Sequence, residues 1–163
     1  MKELDKAEKV SILISALEER YEALRVIRSR AESIGLWSLG LLLSAGAWII
    51  QSELIVNHFE KVLYLVGASL AFVVLRFNYL EDLARGFKGQ QRAAARIEKA
   101  LKLYEQNFFD ESNESIYPKE WMHAGTNEGA GRFFQTTYNL LYIGFGFLII
   151  AILSIKTYSL FFY

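Results

Sequence analysis

Residues 133–155, FFQTTYNLLYIGFGFLIIAILSI, form a run of 23 residues without a charged side chain, held between Arg132 and Lys156. At about 1.5 Å per residue a helix of this length covers roughly 34 Å, and a bilayer core is about 30 Å thick. A surface helix of a soluble protein keeps a polar face over such a distance. The run therefore reads as a membrane span, and the remaining segments must be compatible with it.

Two further stretches meet the same test. Residues 33–50, SIGLWSLGLLLSAGAWII, carry no charge, and Trp37 and Trp48 lie near the two ends, where amphipathic rings favour the interface. From Val62 the sequence VLYLVGASLAFVVL is apolar until Arg76. A span over 62–80 takes Arg76 in, with its guanidinium reaching for the interface. The expected fold class is an all-α membrane protein: three transmembrane helices, with a cytoplasmic antiparallel helical stalk formed by the charged segments. The chain is long enough for one domain, and its single proline, Pro118, favours long helices. MKELDKAEKV at the N-terminus is charged and helical in character, unlike a cleavable signal peptide.

The stalk comes from two heptad patterns. Over 3–31, Val10, Leu13, Leu17, Leu24, Ile27 and Ala31 keep a 3-4 spacing, broken at Arg20. Over 80–108, Leu80, Leu83, Phe87, Gln90, Ala94, Ile97, Leu101, Tyr104 and Phe108 do the same, with Gln90 the polar exception. Residues 51–61 are expected to be a short polar connection. Residues 109–131 read as a linker in which PKEWMHA is a short helix opened by Pro118 and stopped by Gly125, followed by a glycine-rich joint.

Basic residues set the expected orientation. Seven lie in residues 1–32 and nine in 76–132, leaving Lys61 and Lys156 for the other side. The positive-inside rule places the N-terminus in the cytoplasm and the C-terminus outside an inner (plasma) membrane.

Catalysis finds little footing. There is no cysteine, the two histidines His58 and His123 fall on opposite sides in this topology, and no metal-ligand spacing, phosphate-binding loop or nucleophile elbow is present. No enzyme and no cofactor is expected, and His123 reads as a packing or interfacial residue. Two other patterns stand out. Gly40, Ser44, Ala47 and Gln51 align small and mildly polar residues on one face of the first span, suited to close helix packing or to lining a pore between several copies. Arg85, Lys88, Arg92, Arg96 and Lys99 recur in steps of three and four, a basic stripe with Glu98 the lone acid among them. That stripe suits a solvated face, an acidic neighbour, the anionic inner leaflet or an anionic ligand. Net charge is zero, so only this local cluster speaks for such a ligand.

The layout, a charged helix YEALRVIRSRAES entering a span with almost no linker, then a second span and a long basic helix, resembles the SLATT class of bacterial membrane effectors over about residues 9–106. The third span and SIYPKEWMHAGTNEGAGRFF depart from the two-span form and are similar to the Hailong-type channel effectors of anti-phage defence. The resemblance implies a homo-oligomeric channel, a tetramer by expectation, gated by a nucleotide or DNA oligomer from a partner nucleotidyltransferase. It implies ligand contact at Arg92, Arg96 and Lys99, and a pore at Ser44, Ala47 and Gln51. The alternative is a non-conducting membrane anchor whose helical stalk recruits a cytoplasmic partner.

Overall fold

The computed structural model describes residues 5–108, 114–126 and 133–158. The described residues are 81% helical, so the all-α class holds. Helix α1 spans Lys6–Gln51 and α2 spans His58–Val73. A π-helical turn, Val74–Tyr79, leads directly into α3, Leu80–Ala100. A 3₁₀ turn at Lys119–His123 precedes α4, Phe133–Ser154, and the two-residue strands β1, Ile55–Val56, and β2, Lys156–Thr157, pair in parallel. Three helical stretches are long and apolar enough to cross a membrane: Lys6–Gln51, His58–Ala100 and Phe133–Ser154.

The charged N-terminal segment enters the first apolar stretch with almost no linker, as expected, and α1 runs through both as one helix of 46 residues. No proline intervenes there, and Ser33 and Gly35 lower helix propensity without breaking the helix. The second apolar helix starts earlier than expected. Asn57 forms a reciprocal cap in which its side chain accepts from the Glu60 N–H at 2.7 Å and the Glu60 carboxylate accepts from the Asn57 N–H at 2.9 Å.

Another difference is at the far end of α3. The heptad pattern continues to Phe108, yet the helix stops at Ala100. The Leu103 N–H donates to the Glu98 carbonyl at 3.1 Å, and the Lys102 N–H to the Lys99 carbonyl at 3.1 Å. With Lys102 at φ 64 this is a Schellman close. The chain then turns again at Asn107, φ 56, so Tyr104 packs from a turn instead of a helix face.

The chain divides into two compact units: Met1–Ser29 with Leu83–Gly131, and Arg30–Asp82 with Arg132–Tyr163. In the first unit α1 and α3 run in opposite directions, Ile27 meeting Gly86 and Tyr21 meeting Glu98. Leu17, Ala94 and Ala95 are buried. The two polar residues in the heptad seams have a reason to be there. The Arg20 guanidinium donates to the Gln90 side-chain oxygen at 3.0 Å, so the break in one seam is matched by the exception in the other.

In the second unit α4 contributes most of the core: Phe134, Thr137, Leu141, Gly144, Phe145, Ala151 and Ile152 are buried. It packs closely on α1, where a Cβ at Gly35 would lie 3.1 Å from Thr137 and one at Gly46 only 2.6 Å from the Phe147 ring. On α2, Phe72 meets Tyr142 and Phe145 with ring centroids 5.6 and 5.3 Å apart. At one end Lys61 Nζ donates to the carbonyls of Leu153 (2.7 Å) and Ile155 (2.9 Å), satisfying acceptors left open by the end of α4. Val56, Ala68, Ile152 and Ile155 form a cluster there. The expected polar connection is thus pinned by a strand pair and a lysine.

Candidate functional site

Pro118 caps the 3₁₀ turn Lys119–His123, where the sequence suggested a short helix. Gly125 follows at φ +78 and packs on α3: a Cβ there would sit 2.5 Å from the Lys88 carbonyl and 3.0 Å from Arg92 Cγ. Only glycine meets both conditions at low cost. Arg92 Nε donates to the Gly125 carbonyl at 2.8 Å and fastens the turn to the helix. We expect Gly125→Ala to destabilise the first unit by at least the roughly 1–2 kcal/mol of left-handed backbone, read as a lower midpoint in thermal unfolding of the detergent-solubilised protein.

This docking divides the basic stripe. Arg92, Arg96 and Lys99 share a hollow of about 330 Å³ with His123, Met122 and Thr126. Arg85 and Lys88 do not line it; Lys88 is half-buried beside Gly125. Arg96 and Lys99 are exposed and make no ion pair among the described residues, so their donors face the hollow and solvent. Helical spacing had no means of finding His123 or Thr126, because the turn that carries them reaches α3 only through Gly125.

Glu98 does not belong to the stripe. It is 6% exposed and faces a different side of α3. The Tyr21 hydroxyl donates to Glu98 Oε1 at 2.7 Å, the Tyr104 hydroxyl donates to Oε2, and the Tyr21 and Tyr117 hydroxyls lie 3.2 Å apart. Burial, followed by these hydrogen bonds, pushes both Tyr21 and Tyr104 well above the ordinary phenol value. Beside this network is a larger hollow of about 750 Å³, walled by Leu24, Phe87 and Trp121. Arg25 and Arg28 on its lining are balanced by Glu98 and Glu120, so its charge selects neither sign.

The small-residue stripe turns away from the packed core. Gly40, Ser44 and Gln51 are exposed and Ala47 is half-buried, while a Cβ at Gly40 would meet nothing within 4 Å. The face that packs on α4 carries Gly35 and Gly46. At 100° per residue the two faces lie roughly 140° apart on α1. Close packing within one chain is therefore not what Gly40 and Ser44 provide.

No protein-family model, curated protein or solved structure matches this chain.

Proposed function

We propose that this is a three-span protein of the bacterial inner membrane that assembles as a homo-oligomer and forms an ion channel or pore gated by a cytoplasmic nucleotide or oligonucleotide. The observation that carries the reading is the basic hollow. Arg96 and Lys99, free of acidic partners among the described residues, converge with Arg92 and His123 on a space suited to a phosphate group. The orientation set by the basic residues puts that hollow in the cytoplasm, and the same helix that carries it continues back to His58 through the second apolar stretch. The outward stripe Gly40, Ser44, Ala47 and Gln51 supports contact or a water path between copies. Three spans are too few to enclose a path alone, so an oligomer is part of the proposal. The resemblance of the layout to SLATT-type effectors is what supports a role in anti-phage defence, and no catalytic step is assigned.

Arg96→Gln with Lys99→Gln should weaken binding of a short DNA oligonucleotide by roughly tenfold or more, two charge-assisted contacts being removed. Arg92 is left intact because it also holds the turn. Equal affinity in the double variant, with the protein folded, contradicts the ligand assignment. The anchor reading draws on a different feature: Val10 and Ile14, one turn apart on α1, are exposed. It requires a cytoplasmic partner on that face and a protein that carries no current.

A further inference from the structure

The helix that begins at His58 reaches Ala100 without a break, and one turn of it, Val74–Tyr79, is π-helical. The Leu80 N–H donates to the Leu75 carbonyl, five residues back. Such turns are rare single insertions and concentrate at functional sites. Packing accounts for this one. Ala68 (9% exposed) and Leu80 (0%) are both buried, twelve positions apart. In an unbroken α-helix those positions would lie about 120° apart, and absorbing one extra residue brings them within about 20°.

Arg76 sits inside the turn, with its side chain 18% exposed. Its guanidinium carbon stacks 3.7 Å from the Tyr138 ring centroid, and Nε donates to the Tyr142 hydroxyl at 3.3 Å. Nη1 lies 3.9 Å from Glu81 Oε2. Tyr138 and Tyr142 belong to α4, so this one side chain ties the π turn to its neighbour. An ionisable group at the edge of an apolar span is costly, and function is the usual reason it is kept.

We propose that the π turn is a two-position joint latched by Arg76 on Tyr138 and Tyr142. Release lets the turn relax to α-helix and changes the phase between Ala68 and Leu80 by about 100°. Leu80 leaves its buried place in that step, and the Ala68 cluster does not. The gating role of the joint rests on the channel reading; the joint itself does not.

The chain has no cysteine, so single reporters are clean. Leu80→Cys and, as a control in the separate cluster, Ile152→Cys are each reacted with N-ethylmaleimide in detergent. Arg76→Gln should raise the Leu80→Cys rate about tenfold or more while leaving Ile152→Cys unchanged. Deleting Asn78 removes the inserted residue and makes a plain α-helix keep Leu80 in phase, so it should restore protection in the Arg76→Gln background. An unchanged Leu80→Cys rate, acceleration of both reporters together, or no rescue by the deletion overturns the joint. Planar-bilayer current separates the two claims. If the intact protein is silent but the labelling pattern holds, the channel reading falls and the joint stands. If it conducts and neither variant alters open probability, the joint has no gating role.

Discussion

Glu98→Ala should destabilise the protein by roughly 2–4 kcal/mol, since hydrogen bonds to a charged group contribute about 1.5–3 kcal/mol each and two are lost. The carboxylate is held by neutral donors: the Tyr21 hydroxyl on one oxygen and the Tyr104 hydroxyl on the other. No cation pairs with it among the described residues. Its removal leaves the buried Tyr104 phenol without its acceptor and Tyr21 with only the Tyr117 hydroxyl, beside the hollow walled by Trp121. The loss exceeds the desolvation relieved by deleting the charge, because the tyrosines stay where they are. Glu98→Gln keeps one acceptor oxygen and should cost about half as much. Thermal unfolding in detergent measures both.

The same network sets an alkaline limit. Tyr21 and Tyr104 are raised above the ordinary phenol value, by burial first and then by their hydrogen bonds. An unfolded tyrosine ionises near 10, so the folded state binds protons longer than the unfolded one. The network's contribution is complete below about pH 10 and is lost as pH rises beyond it. Unfolding midpoints should be flat in this respect from pH 8 to about 10 and then fall. Tyr21→Phe with Tyr104→Phe should flatten that fall.

Gly144→Val should cost roughly 1–3 kcal/mol or more by overpacking. A Cβ at Gly144 would stand 2.9 Å from Leu42 Cδ1 and 3.3 Å from Leu42 Cβ, with the Leu39 Cα at 3.5 Å behind. Backbone lies on both sides of this contact, so α1 and α4 must separate to admit a branched side chain. In the membrane proposed above, lipid supplies no compensating drive for helix association, which rests on close packing. Gly146→Ala, where a Cβ meets nothing within 4 Å, should leave the unfolding midpoint unchanged. Gly40→Leu tests the outward stripe by the same logic. If the chain assembles as proposed, it should leave the fold intact and lower the oligomeric mass seen by light scattering; an unchanged mass contradicts the role given to the stripe.

The long apolar helices were legible because charge exclusion is a local property of sequence. Arg132 and Lys156 bracket α4, and the helix found, Phe133–Ser154, lies within one residue of the run at its far end. The stop of α3 was not legible, because Leu101, Tyr104 and Phe108 keep the heptad spacing while Lys102 takes a left-handed conformation usually signalled by glycine. Gly35, Gly40 and Gly46 look alike in composition, and only the phase of α4 decides which of them pack. Arg20 and Gln90 each looked like a flaw in its own seam; the 70-residue separation hid that they answer one another. Within the basic stripe, spacing alone grouped all five residues. The turn docked by Gly125 selects three and adds His123 and Thr126.

Single-channel recording from the purified, correctly inserted protein in a planar bilayer tests the central claim most directly. Short DNA oligonucleotides are added to the side that carries the N-terminus. Discrete conductance steps whose open probability changes with the oligonucleotide, and no longer changes in Arg96→Gln with Lys99→Gln, are the predicted result. A silent bilayer, or steps indifferent to anions on that side, would contradict a gated channel.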